Sequence, residues 1–267
     1  MSLFGGYRDH NLCKSISPLG IVVGIDLDKG VKSVDAIRFF PLGEDALIME
    51  FGDSINLETN QKILSWKKAI EVADLPGVLD IVPAYTTLTI FYYSGSISSF
   101  PYETLKSSIL QLNPILSTAQ EVKKLKDIPV CYEEPYALDL QFVAKSNGIS
   151  EQEVIRIHTS KHYPVYFLGF SPGFPFLGGM DSKIAVPRRT TPRAEIPAGS
   201  VGIAGEQTGI YPLTSPGGWQ IIGRTPYRLF NQDHHPPTLL QPGDSIRFIA
   251  ISNEEFQALE GKTCLFT

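Results

Sequence analysis

Cysteine is scarce in this chain: three in 267 residues, Cys13, Cys131 and Cys264, spaced too widely for a CxxC pair or any metal-type pattern. A disulfide scaffold and a zinc ribbon are therefore unsupported, and reduced thiols fit a cytosolic protein, so a cytoplasmic location is expected. Nor is there a basic excess, since 23 Lys and Arg stand against 28 Asp and Glu for a net charge of -5. No nucleic-acid or membrane-surface partner is expected, and any anion site has to be local. Long apolar runs are missing too. The longest near the start, "PLGIVVGIDL", is too short to span a bilayer and has neither the basic-then-apolar order nor the small-residue cleavage site of an export signal. There is no internal repeat, no GxxxxGK[ST], no GxGxxG after a strand and no GxSxG, so a P-loop, a dinucleotide fold and a hydrolase elbow have no support.

What is present is enough apolar residue, 43%, to build a sizeable core, over a length that suits one large or two ordinary domains. Residues 1–34 carry scattered glycines and charges and read as an N-terminal extension. In "AIRFFPLGEDALIMEF" two apolar runs flank a turn, the pattern of an antiparallel strand pair. Ile63, Trp66, Ile70 and Ala73 then recur at helical spacing up to Pro76-Gly77. Two further strands follow in "VLDIVPAYTTLTIFYY", and Pro101 opens a helix with Leu105, Ile109 and Leu112 on one face. This ββαββα order predicts a small α+β sandwich over 35–126, ending at the charged "EVKKLKD" linker region.

The remainder, 127–267, has a different composition. Between Pro164 and Gly243 fall twelve of the 23 glycines and twelve of the 20 prolines, which requires short strands and many turns, as in a β-barrel or sandwich. Two helices are expected before it, one ending at Gly148 and one opened by Ser150 and Glu153 as a capping box. Strands are expected in "PVYFLGF", "SVGIAG", "WQIIG" and "SIRFIAI", with a terminal helix "NEEFQALE" outside.

Five of the nine arginines, Arg188, Arg189, Arg193, Arg224 and Arg228, lie in this Gly/Pro-rich stretch beside a single lysine. A guanidinium fork binds carboxylate or phosphate bidentately, and the prolines of "VPRRTTPRAEIPAGS" fix the direction of the backbone that carries three of them. Surface pairing with Glu195 or Glu206 is the alternative. His158 follows Val154 by one helical turn and so faces inward; it is either a satisfied core group or a titrating one. His234-His235 have no Cys or carboxylate at ligand spacing, so no metal is expected. The turns in "GEQTGIYP" and "SPGGWQIIGRTP" either cradle an anion on backbone N–H groups or only supply positive φ at Gly217-Gly218.

The long motifs "LGFSPGFPFLGGMD", "VPRRTTPRAEIPAGSVGIAGEQTGIYPLTSPGGWQIIGRTP" and "LLQPGDSIRF" resemble the family of 5-oxoprolinase B subunits, also known as KipI or allophanate hydrolase subunit 1. The similarity extends upstream through "EVIRIHTSKHYPVYFLGF", "LPGVLDIVPAYTTLTIFY" and "LGEDALIMEFGD", and departs from the family pattern at "KDIPVCYEEPY". The resemblance implies an α+β domain followed by a C-terminal cyclophilin-like β-barrel, acting with 5-oxoprolinase subunits A and C in the ATP-dependent opening of 5-oxoproline to glutamate, with ATP a cofactor of the complex. It further implies a barrel-mouth pocket with His158, Arg188, Arg193 and Arg224 as catalytic groups. Ser171, Gly173, Phe174, Gln207, Tyr211, Gly217 and Gly218 would hold substrate. The KipI branch implies an alternative, an inhibitor binding a sensor histidine kinase, for which Phe174, Phe176 and Leu177 would form the docking patch. A carboxyl-transferring subunit of urea or allophanate metabolism ranks below both, because it needs a biotin-linked partner, and peptidyl-prolyl isomerisation ranks last, because a fold carries no function by itself.

Overall fold

The structure, a computed structural model, describes residues 37–96, 101–114 and 125–260. The expected extension 1–34, together with Cys13 and Cys264, lies outside these residues.

Strands β1 (Arg38–Leu42) and β2 (Ala46–Glu50) form the expected hairpin, with Phe40 opposite Ile48, and Gly43 supplies a positive φ of 65° at its turn. Helix α1 (Leu57–Ala73) begins at Asn56, whose side chain accepts from the Thr59 amide at 2.8 Å, and satisfies one of the unpaired donors of the first turn. It stops at Asp74, which takes a left-handed φ of 43° before Pro76 is reached. Strands β3 (Val78–Pro83) and β4 (Thr87–Tyr92) complete an antiparallel sheet in the order β1-β2-β4-β3. Its core joins Leu47, Met49, Leu88 and Ile90 to Ile63 and Ile70 of α1 and to Leu105 and Ile109 of α2 (Pro101–Leu110). Each such aliphatic side chain stabilises the fold by roughly 1.5–3 kcal/mol when fully buried.

The next strand, β5 (Leu125–Cys131), already belongs to the second sheet. The "LKD" expected at the end of a linker is its first half, running parallel to β13 (Ser245–Ile251) with Asp127 opposite and paired to Arg247. Asp127 is exposed, while Lys126 turns to the Leu239 carbonyl and Asp244, partners distant in sequence, so the run resembles a linker. Helices α3 (Leu140–Asn147) and α4 (Glu151–Thr159) follow; Gly148 ends the first in the left-handed region. Ser150 caps α4 as expected, but Glu153 does not return to it. Its carboxylate instead accepts both Nε and Nη2 of Arg156, a stronger charge-assisted pair. The full capping box forms later, at Ser252 and Glu255 of α5 (Asn253–Leu259).

Strands β6 (His162–Leu168), β7 (Pro175–Leu177), β9 (Ser200–Ala204), β10 (Gln207–Ile210) and β12 (Gln220–Arg224) close with β5 and β13 into a seven-stranded barrel, in the order β10-β7-β6-β13-β5-β12-β9. A two-stranded sheet of β8 (Arg193–Ile196) and β11 (Ser215–Gly217) stands apart from it. The two-residue alternation of strands sorts the side chains: Val201, Ile203, Ile210 and Ile222 fill the barrel, while Ala204 and Ile221 join a second cluster on its outer face. No helix among the described residues is long and apolar enough to cross a membrane.

One buried carboxylate ties these parts together. Asp139, 5% exposed, accepts both Nη groups of Arg193 at 2.7 and 2.8 Å, Nη1 of Arg189 at 3.1 Å and the Ile221 amide at 2.7 Å. Removing one partner of such a pair leaves a charge without compensation in a low-dielectric site. Arg193→Ala is therefore expected to destabilise the protein by about 3–5 kcal/mol in urea unfolding, while Arg247→Ala, on an exposed pair, leaves the midpoint unchanged. Equal effects of the two substitutions would rule out this role for Asp139.

Candidate functional site

The outer face of the barrel carries an aromatic cluster built on two glycines. Gly202 of β9 and Gly209 of β10 are paired across the strands, and a Cβ on Gly209 would come within 3.0 Å of the Phe174 ring and 3.1 Å of Trp219. With no side chains at these positions, Phe174, Tyr211 and Trp219 pack against the sheet and meet edge to face at centroid distances of 5.4 Å (Phe174–Tyr211) and 5.5 Å (Phe174–Trp219). Gly217 of β11 serves the same end from above: a Cβ there would sit 2.4 Å from the Tyr211 hydroxyl.

Polar groups surround this cluster. The Arg188 guanidinium lies 5.9 Å from the Trp219 ring centre, a cation–π arrangement, and pairs with no carboxylate among the described residues. Its charge acts on the phenols of both Tyr85 and Tyr211. Tyr85 comes from the β3–β4 connection of the other sheet and sets its ring edge-on to Phe167 at 4.8 Å and Phe176 at 5.9 Å. Gln207 Nε2 donates to its hydroxyl at 2.5 Å. Burial pushes the Tyr85 phenol up to about 12, so it stays protonated at neutral pH. Since the oxygen accepts from Gln207, the phenolic proton is free to donate, and it meets no acceptor among the described residues. Arg188 and Tyr85 are thus two donors, without acceptors of their own among the described residues, beside a buried aromatic cluster.

Of the residues expected from sequence, the structure gathers Arg188, Phe174, Gln207, Tyr211 and Gly217 at this face. Ser171 and Gly173 form the turn behind it: the Ser171 carbonyl accepts from the Phe174 amide at 3.0 Å, and Gly173 has a φ of 82° with Phe230 and Pro212 against it. Gly218 accepts from the Arg189 amide through its carbonyl. Three expected catalytic groups are elsewhere. Arg193 is committed to Asp139. Arg224 donates through Nε to the Ala198 carbonyl at 2.8 Å and lines a separate cavity together with Arg228.

His158 is the third, and its surroundings correct the expectation of a pocket-floor acid or base. It is completely enclosed in the barrel, stacked 4.3 Å from Phe248. Thr208 donates its only hydroxyl proton to the Gly202 carbonyl, so His158 Nε2 donates to Thr208 at 3.0 Å and Nδ1 accepts from the Tyr132 hydroxyl at 2.7 Å. This is a neutral imidazole with both nitrogens satisfied, and burial holds its pKa down at about 3. It has no proton to exchange near neutrality. The expected docking patch fares similarly, since Phe174 and Leu177 are buried and Phe176 is partly so; the exposed aromatic of this region is Phe170, at 68%. Sequence reasoning missed Tyr85, Trp219 and Phe170 as site residues, although Tyr85 sits visibly between two strands in "VPAYTTLT".

Known proteins share this arrangement of domains and motifs. Residues 37–240 match the family described as carboxyltransferase domain, subdomain C and D. The B subunit of the 5-oxoprolinase of Bacillus subtilis (strain 168) is 45% identical over 225 residues, 81% of this chain and 94% of its relative, and that of Escherichia coli O157:H7 is 38% identical over 79% and 95%. The chain belongs to this family of 5-oxoprolinase B subunits. Among solved structures, TTHA0988 matches with a TM-score of 0.69 and 35% identity, over 82% of this chain but 41% of the other, so this chain spans less than half of that protein.

The state of His158 makes stability depend on pH. An unfolded histidine titrates near 6.5 and the folded one near 3, so the unfolded chain binds the extra proton between these values. Its contribution is complete above about pH 6.5 and is lost toward pH 3 at up to about 1.4 kcal/mol per pH unit. His158→Gln is expected to remove this component from unfolding free energies measured in urea across the acid range. An unchanged pH slope in the variant would contradict a neutral, enclosed His158.

Proposed function

We propose that this chain serves as the B subunit of an ATP-dependent 5-oxoprolinase, which opens the cyclic amide of 5-oxoproline to glutamate together with partner subunits A and C. The observation that carries this reading is the 45% identity, over 94% of the relative, to a protein of that name. It is favoured over the kinase-inhibitor alternative, whose apolar docking patch is mostly buried.

The chemistry asks for groups of the kind the outer face presents. If the amide oxygen attacks the γ-phosphorus of ATP, ADP leaves and the ring carbon becomes electrophilic. Water adds there, the C–N bond breaks as nitrogen takes a proton, and a second water releases phosphate from the acyl phosphate. Charge builds on the amide oxygen and the transferring phosphoryl group, where donors such as Arg188 and Tyr85 would act. Neither the Tyr85 phenol, at about 12, nor His158, sealed in the barrel, exchanges a proton near neutral pH. The proton-transfer group is then supplied by one of the partners, which makes the chain a non-autonomous part of the enzyme.

Two outcomes are expected. The purified chain alone releases no glutamate from 5-oxoproline and ATP, and turnover appears on mixing with subunits A and C; robust turnover by the single chain would sink the reading. In the mixture, Arg188→Ala lowers kcat/KM by a factor on the order of 100 and Tyr85→Phe by a factor of about 10, with assembly and melting temperature intact, whereas Arg247→Ala has no effect. Full activity in both variants would remove the outer face from the mechanism.

A further inference from the structure

A cavity of about 790 Å³ opens beside the Ser171–Phe174 turn and is distinct from the outer-face cluster. The two share a wall. Tyr211 belongs to the aromatic cluster while its neighbour Pro212 lines the cavity, and Gly173 packs on both Pro212 and Phe230, which also lines it. The volume falls in the range of small-molecule sites, roughly 300–1,000 Å³. It exceeds what a five-membered ring acid would fill.

Arg224 is held firmly at this cavity. Its Nε is bound to the Ala198 carbonyl, and its guanidinium lies 5.9 Å from the ring centres of both Tyr136 and Phe256. No carboxylate pairs with it among the described residues, so its Nη donors are pre-organised and uncommitted. Arg228 lines the same cavity and makes no hydrogen bond or ion pair among the described residues. Neither guanidinium is paired with a carboxylate among the described residues, so both keep donors available to an anion.

The cavity is not simply positive, because Asp233 and Glu260 also line it, with the amides of Asn231 and Gln232. A bare polyanion would meet those carboxylates unfavourably. A ligand that fits brings negative charge for the arginines and hydrogen-bond donors for the carboxylates and amides. A nucleotide has both, in its phosphate chain and in its ribose hydroxyls and base amino group, and its base can pack on the Phe230 ring.

We propose that this cavity is a nucleotide site, with Arg224 and Arg228 on the phosphate chain. The proposal deepens the 5-oxoprolinase reading and rests on it for the purpose of the nucleotide, since it puts ATP on this chain and against the wall shared with the outer face. It also accounts for the missing P-loop, because arginine forks take the place of a glycine-rich cradle.

Calorimetric titration of the isolated full chain tests it, with ATP, pyrophosphate, adenosine and 5-oxoproline as probes. ATP and pyrophosphate are expected to bind and to compete with each other, adenosine to bind more weakly, and 5-oxoproline not to displace ATP. Arg228→Ala and Arg224→Lys should each weaken ATP at least tenfold with the melting temperature retained, and Arg247→Ala should not. Unchanged affinity in Arg228→Ala and Arg224→Lys, or no binding of either phosphate probe at millimolar concentration, overturns the proposal; pyrophosphate binding without ATP binding overturns its nucleotide identity. Because binding is read without partners, a chain that binds no phosphate probe inside a fully active complex refutes the site and spares the 5-oxoprolinase reading. ATP binding to a chain whose reconstituted complex is inactive does the reverse.

Discussion

The carboxylate of Asp139 sets the geometry on which the outer face depends. It lies just before α3, bonds to β12 through the Ile221 amide, and draws Arg189 and Arg193 onto the barrel from a segment rich in proline. A second link, from the Arg189 amide to the Gly218 carbonyl, fixes the same segment to the turn before Trp219. Arg188 is therefore carried on a backbone that is tied down one residue away, yet is itself left without a carboxylate. In the proposed reading Arg188 has to be placed without being neutralised, and the neighbouring ion pair holds the loop while leaving Arg188 unpaired.

The five arginines of the second half accordingly separate into three kinds. Arg189 and Arg193 are structural, Arg188 is an exposed guanidinium beside Trp219, and Arg224 and Arg228 line the cavity. Composition shows that they cluster, and spacing shows that prolines aim them. Neither tells which of them meets a carboxylate, because Asp139 precedes Arg193 by 54 residues. That partner is invisible in sequence for a simple reason: an aspartate before a helix reads as an ordinary cap.

Much of the fold is legible in the sequence. The ββαββα order, the inward faces of α1 and α2, the turn-rich barrel and the terminal helix all rest on periodicity and on Gly and Pro, which act locally and leave local marks. The charged start of β5 is not, since alternation at a solvated edge looks like a linker. The site is legible only in part. The inward direction of His158 follows from helical spacing, but its enclosure depends on Tyr132, Thr208 and Phe248, brought to it by three different strands or loops. Tyr85 reaches Gln207 across 122 residues of sequence. The apolar run from Phe174 to Leu177 reads as a surface patch, and Phe174 is buried because Gly209 leaves room for its ring.

The Ser171–Phe174 turn gains its meaning from where it stands. Phe170, just ahead of it, has a left-handed φ of 65°, a conformation that costs a non-glycine residue about 1–2 kcal/mol, and its ring is edge-on to both Phe174 and Tyr211. The sharp bend lets Phe174 enter the aromatic floor while Gly173, with no side chain of its own, lies flat on Pro212 and Phe230 at the cavity. A Cβ at Gly173 would press on Phe230 at 3.1 Å and on the Leu229 carbonyl at 3.3 Å, so the turn has no slack on that side. One loop thereby forms a boundary between the aromatic cluster and the cavity. Under the proposed 5-oxoprolinase reading, in which a phosphoryl donor has to be brought to an amide oxygen, a common wall would fix the relation between the two surfaces and leave proton transfer and closure against water to the partners.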